Sequence, residues 1–151
     1  MSSPDISGAW SLAQTDRFLR EVRVPLRLAC SGNEGHPRLV SLWFEWDGRR
    51  LWCATQESAQ TARWIEDAPE VAFEVSPDEP PYRGVRGTGT ASIVAERGKE
   101  QRERLLDRYD IDREGKLGSF LLERASTEVA LRIEPQRMST WDFTDRMSDD
   151  A

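Results

Sequence analysis

A glycine pair, a single histidine and two cysteines are the residues of this chain whose types could do chemistry. Gly87-Thr88-Gly89 begins like a dinucleotide-binding turn, but the third glycine is missing and the run continues into strand-like Ser92-Ile93-Val94. A phosphate-cradling glycine loop needs a strand before it and a helix N-terminus after it. Here the context is reversed, which leaves a bent strand. His36 is the only histidine and sits in Asn33-Glu34-Gly35-His36-Pro37, a turn by composition. One imidazole cannot build a histidine-rich metal site, and no serine stands in an elbow motif that would make it a triad base. Carboxylates are plentiful, yet no spacing marks two of them as an acid–base pair. Cys30 and Cys53 lie 23 residues apart inside apolar runs, neither a disulfide framework nor a metal-ligand spacing, and read as buried thiols of a reducing cytosol. No metal site is expected, and no catalytic side chain is assigned.

What remains is a surface for something flat. Asp47-Gly48 separates two strand-like runs and predicts a two-residue hairpin turn. Counting outward pairs Glu45 with Arg50, Phe44 with Leu51, Trp43 with Trp52, Leu42 with Cys53 and Ser41 with Ala54. One face, with Val40, Leu42, Phe44, Leu51 and Cys53, belongs to a core. The other carries Ser41, Trp43, Trp52 and Ala54, half aromatic and half very small. Small side chains let a planar ring lie on strand backbone, whose polar groups then read its edge. Thr55 and the start of a Ser58-capped helix offer donors for an anion, with Arg38 and Arg63 as positive charge. The alternative is that both tryptophans simply pack against a helix or a second subunit.

The elements that position this face follow from the rest of the pattern. Ser11 caps a helix over 12–22, with Gln14 completing a capping box and Leu12, Phe18, Leu19 and Val22 on one side. A strand over 24–30 leads to the hairpin, and a helix over 59–67 ends at Pro69. Val71, Phe73 and Val75 alternate in a strand. Strand 82–95 contains Gly84, Gly87 and Gly89, which predicts a bend or a close backbone approach. A helix over 98–109 carries a Glu100–Arg104 pair on its outer side; a helical piece around 119–124 and a last strand over 127–134 follow. The 151 residues suit one domain, 1–151, with its core over about 12–143 and an acidic, loose tail over 144–151.

Composition narrows the partners. Twenty-one basic against 27 acidic residues give a net charge of −6, and the charge-rich stretch 97–124 mixes eight basic with seven acidic side chains, so nucleic acid is not expected. No run approaches a membrane span, and MSSPDISGAW lacks the pattern of a secretory signal, so a cytoplasmic protein is expected.

Arg38-Leu39-Val40-Ser41-Leu42-Trp43-Phe44, Asp47-Gly48, Leu51-Trp52-Cys53-Ala54-Thr55, Ala62-Arg63-Trp64-Ile65 and Pro69-Glu70-Val71-Ala72-Phe73 together resemble the pyridoxamine 5′-phosphate oxidase-like superfamily. Tyr82-Arg83-Gly84 through Thr90-Ala91 is similar to that family's next strand, and Ile133-Glu134-Pro135 through Trp141-Asp142-Phe143 to its closing segment. The resemblance implies a mostly β protein with helices, a six-stranded antiparallel split β-barrel that forms a homodimer with cofactor sites at its interface. It implies FMN, with a deazaflavin (coenzyme F-420) in a related branch and haem in another. By position, Arg38, Leu39, Val40, Ser41, Leu42 and Trp43 would run along the cofactor, Arg38 near its phosphate, with Ala54 and Thr55 following. Tyr82, Arg83 and Gly84 would form the next contact, and Trp141 would come from across the dimer.

One departure matters. Where the family commonly has a serine, a basic residue and a lysine on the flavin phosphate, this chain has Ala59, Gln60 and Thr61. A lost lysine–phosphate contact is worth about 1.5–3 kcal/mol. Thr61, Ser58 and Arg63 are left to compensate. The expectation is therefore an FMN- or deazaflavin-dependent oxidoreductase acting on a small organic substrate. The alternatives are a non-catalytic haem, tetrapyrrole or regulatory-ligand binder on the same barrel, and a family member that has lost its cofactor.

Overall fold

The computed structural model describes residues 3–32 and 35–148. Its strands are β1 (Asp5–Gly8), β2 (Leu26–Cys30), β3 (Arg38–Leu42), β4 (Glu45–Trp46), β5 (Leu51–Gln56), β6 (Glu70–Val75), β7 (Arg83–Val94) and β8 (Glu128–Asp142), and its helices are α1 (Leu12–Glu21), α2 (Gln60–Asp67), α3 (Gly98–Arg108) and α4 (Lys116–Glu123). One sheet runs β3-β2-β6-β7-β8-β5-β4, with β1 added in parallel beside the second half of β8. The architecture is the split barrel, with eight strands where six were expected. Two differences account for the count: the short N-terminal β1 carries no alternating pattern, and the run expected as one hairpin arm breaks into β3 and β4.

That break also corrects the register. Asp47 Oδ1 accepts the N–H groups of Arg49 (2.8 Å) and Arg50 (2.7 Å), and the Asp47 N–H donates to the Arg50 carbonyl (3.1 Å). The carboxylate thus wraps a four-residue loop where a two-residue turn was expected, and Trp46 faces Leu51 and Glu45 faces Trp52. A shift of two preserves the faces, so Leu51, Cys53 and Phe44 are fully buried as expected. The strand before the loop, however, pairs with β2, Ser41 opposite Arg27 and Leu39 opposite Ala29. Ser41–Ala54, Trp43–Trp52 and Glu45–Arg50 are not cross-strand pairs; Arg50 pairs with Glu134 and Glu45 with Arg104. Arg104 hydrogen-bonds Glu45, while the expected partner Glu100 acts on it through charge alone.

The core lies on the inner side of the sheet, where Leu26, Leu28, Cys30, Leu51, Cys53, Phe73, Val75, Leu131 and Ile133 meet Phe18 and Leu19 of α1 and Ile65 of α2. The capping box of α1 is present, Ser11 Oγ accepting the Gln14 N–H and Gln14 Oε1 accepting the Ser11 N–H. At the other end of α1, Arg108 donates to the Leu19, Arg20 and Val22 carbonyls at 3.0, 3.0 and 2.6 Å, satisfying acceptors that a helix end leaves free. Leu12, expected on the apolar side, stays exposed.

α2 begins one residue late. The Ala59 N–H donates to the Gln56 carbonyl (3.0 Å), so the chain turns before the helix; Ala59 is the N-cap and makes no side-chain cap, leaving Ser58 exposed. β8 is 15 residues long, well past the expected end at Glu134. Pro135 lacks the N–H that would continue a ladder, and the pairing steps over Gln136: Thr88 faces Arg137 while Gly89 faces Pro135. The glycines of β7 sit in close backbone approaches, as expected; a Cβ built at Gly84 would come within 2.9 Å of the Trp141 ring. Of the tail, Asp145 to Ser148 form a turn in which Met147 Sδ accepts the Tyr82 N–H (3.3 Å); 149–151 fall outside the described residues.

Candidate cofactor site

The outer side of the sheet is the site's frame. Strand register lines up two rows across six strands. Ser41, Arg27, Glu74, Arg86, Ser139 and Ser7 form a polar row, and Leu39, Ala29, Ala72, Thr88, Arg137 and Asp5 form its neighbour. All of them except Ser41 line an open groove of about 930 Å³. Glu74 and Arg86 are paired at 3.3 Å. Leu39 stands up from this floor 77% exposed, beside the small Ala29 and Ala72.

Of the residues expected at the site, Leu39 lines this groove; the others fall into two groups, one around β3 and the start of α2 and one at the β7–β8 end, where Arg83 turns inward over the Phe18 ring at 5.2 Å. The first starts on β3. Leu39 and Ser41 point outward, while Val40 and Leu42 pack on the core. Arg38 lies over the Trp64 ring of α2, its guanidinium carbon 5.4 Å from the centroid. Around the start of α2, Ser58, Gln60 and Arg63 are exposed and Thr61 is buried, 6% exposed. Thr55 is half-buried, and Ala54 is only 3% exposed. The second group holds Tyr82, Arg83 and Gly84 at the start of β7 and Trp141 at the end of β8. Gly84 faces Trp141 across the ladder, and Trp141 meets the groove through Arg86, whose guanidinium lies 4.2 Å from its ring centroid. Three strand spacings separate β3 from β7, roughly 14 Å. One chain does not bring the two groups together.

The expectation of an open Ser41–Ala54 face is corrected here. Ser41 is open, but α3 covers Ala54. Arg102 Nη2 donates to the Ala54 carbonyl (3.2 Å) and its Nε to Glu128 Oε1 (3.1 Å). Both tryptophans lie against the same helical segment: Trp43 stacks on Tyr109, centroids 5.1 Å apart and planes at 17°, and Trp52 lies under Arg97 at 3.7 Å. Arg102, Tyr109, Arg27 and Arg86 line or adjoin these surfaces with no local signal in the sequence. The first two sit on a helix whose charges read as a solvated face; the other two have no partner signal until strand order is known.

Electrostatics separates the rim from the core. Burial pushes the Cys53 thiol up to about 12, and Cys30 is also raised by burial, so both are inert core groups. Burial would raise the Glu45 carboxyl, but hydrogen bonds from Arg104 and Gln101 hold it below the usual range. Asp47 is likewise low: burial opposes, while the Trp52 indole N–H and the Arg50 and Arg49 amides prevail. His36 is exposed in the bend before β3. Among the described residues no cluster of metal ligands occurs, and no helix is long and apolar enough to cross a membrane.

A phosphate-bearing planar cofactor fits one flank of this arrangement. The first N–H groups of α2 have no side-chain cap, and Ser58, Gln60 and Arg63 lie exposed at that helix start, while Arg38 lies over Trp64 about one turn further along. Ala54 does not fit as an open wall.

The split barrel itself defines the class. The chain belongs to the pyridoxamine 5′-phosphate oxidase family, which it matches over residues 13–142. Among solved structures, it is similar to a conserved hypothetical protein from Mycobacterium tuberculosis, with 26% identity over 89% of this chain and 86% of that one and a TM-score of 0.74. It is also similar to an F420 reductase, with 27% identity, 80% and 93% coverage and a TM-score of 0.67. The haem storage protein HutZ from Vibrio cholerae shares the fold at 18% identity, 85% and 94% coverage and a TM-score of 0.64. No curated protein matches the chain.

Proposed function

We propose that the protein is a cytoplasmic homodimeric oxidoreductase that holds a flavin-type ring, FMN or the deazaflavin coenzyme F-420, between its two copies and presents it to a small organic substrate. One observation supports the reading: the residues that the resemblance picks out form two groups, around β3 and at the β7–β8 end, roughly 14 Å apart, and the open groove lies over the strands between them. A second copy laid across the groove supplies the missing flank. In this reading Arg38 and Arg63, with Ser58, Gln60 and the uncapped start of α2, bind the phosphate end. The β3 backbone beside the small Ser41 lies along the ring edge, and Gly84 and Trp141 of the second copy close the other side. When bound, the cofactor supplies the hydride or electrons; the chain's own residues bind it, orient it and exclude water.

The absence of the basic pair at 60–61 and the likeness to an F420 reductase favour the deazaflavin over FMN. Titrating the protein with FMN and with coenzyme F-420, followed by tryptophan fluorescence and by sedimentation, tests the proposal. It expects saturable quenching by at least one of them on a two-copy species. Absence of quenching by both, or a monomer at all concentrations, would overturn it; a Soret band on haem addition lost in His36→Ala would favour the binding-protein alternative.

A further inference from the structure

The two-residue link Trp43–Phe44 is the point where β3 leaves the sheet and β4 begins, so the Phe44 amide has no ladder partner. The Tyr109 hydroxyl supplies one. It accepts the Phe44 N–H at 3.1 Å and donates to the Val24 carbonyl at 2.9 Å, tying the link to the lead-in of β2. The phenol ring meanwhile stacks on Trp43. Two helical turns earlier, Arg102 places its guanidinium carbon 6.0 Å from the Trp43 centroid. α3 and the Tyr109 that ends it therefore hold the backbone of the link at Phe44 and the ring plane of Trp43, the residue that follows the candidate cofactor strand.

We infer that Tyr109 is a positioning residue that acts through Trp43, setting the ring where β3 meets the bound cofactor. This rests on the cofactor reading above. The relation is specific: the hydroxyl holds the backbone of the link and the ring holds the indole, so the two contributions separate in Tyr109→Phe and Tyr109→Leu. Neither residue needs to take part in the redox step.

The test is a double-mutant cycle on cofactor affinity, with coenzyme F-420 and FMN as the probes. Tyr109→Phe weakens binding about three- to tenfold by losing the hydroxyl bridge, and Tyr109→Leu weakens it further by losing the stack. In a Trp43→Leu background Tyr109→Phe changes affinity less than twofold, because the residue it acts through is gone. A readout without cofactor accompanies this: the ¹⁹F resonance of Trp43 in fluorotryptophan-labelled protein, assigned by Trp43→Phe, shifts and broadens in Tyr109→Leu while the other indole lines hold. Equal affinity of wild type and folded Tyr109 variants, or equal losses in both backgrounds, would overturn the inference. Failure of wild type to bind either probe would instead overturn the cofactor reading, and the inference with it.

Discussion

Arg102 and Glu128 form the most enclosed ion pair among the described residues: Nε lies 3.1 Å from Oε1, and the side chains are 11% and 2% exposed. The second carboxylate oxygen has no hydrogen-bond partner. The pair sits where α3 crosses β5 and β8, and it gives Arg102 its grip on the Ala54 carbonyl. Removing one partner leaves a buried charge alone, so Arg102→Ala should lose about 3–5 kcal/mol, whereas replacing both with apolar residues (Arg102→Met with Glu128→Leu) should restore most of it. Urea denaturation of the three proteins measures this. A loss below about 1 kcal/mol for Arg102→Ala would mean that α3 is held elsewhere.

Two serines that look alike in sequence should behave differently. Ser11 makes both bonds of its capping box, and Ser11→Ala should cost about 1 kcal/mol. Ser58 caps nothing, so Ser58→Ala should change stability by less than about 0.5 kcal/mol. Thermal or urea unfolding distinguishes them; equal effects would contradict the observed start of α2.

That contrast shows what was legible in the sequence. The helix over 12–22, which ends one residue earlier at Glu21, the faces of β5 and β6 and the burial of both cysteines follow from local periodicity and capping. The hairpin register was not legible, because the Asp47 carboxylate takes two amides that a two-residue turn would not offer it. Nor was the cover over Ala54, which depends on Arg102 reaching from an element 48 residues away. Strand order, and with it the groove and the separation of Arg38 from Trp141, is a long-range property that no local pattern encodes.

Acid should destabilise the fold. Asp16 (hydrogen bonds from Arg20 and the Trp46 indole), Glu45, Asp47 and Asp142 are all held below their ordinary values of 3.8 for Asp and 4.5 for Glu. Groups depressed in the folded state contribute stability that is full above the unfolded values and is lost as pH falls through the folded ones. Stability should therefore hold from pH 7 down to about 5 and drop below about 4.5. Glu45→Gln should lose about 1 kcal/mol at pH 7, a modest amount because Arg104 is half exposed, and should fall less steeply in acid. Urea midpoints from pH 7 to pH 3 check the sign; a rising profile would contradict it.

The basic pair missing from the start of α2 can be restored at one position and not at its neighbour. Gln60 is exposed at the first turn of α2, so Gln60→Lys should be accommodated and should strengthen FMN binding about tenfold through a charge-assisted contact. Thr61 is 6% exposed, so Thr61→Lys would bury an ammonium and should lose at least about 2 kcal/mol of stability. Fluorescence titration with FMN and thermal unfolding of both variants decide the matter. Unchanged FMN affinity in Gln60→Lys would place the phosphate away from this helix.

A cofactor site completed by a second copy is tested most directly by mixing two disabled chains. Arg38→Glu damages the β3 flank and Trp141→Ala the β7–β8 flank, so each homodimer should fail to bind coenzyme F-420 or FMN. After subunit exchange at equal concentrations, half the dimers carry one chain of each kind, and each of these holds one intact site. Fluorescence titration of the mixture should then recover about a quarter of the wild-type sites at wild-type affinity. Recovery of none, with exchange verified, would show that each chain builds its site alone, and the shared groove would not be where the cofactor lies.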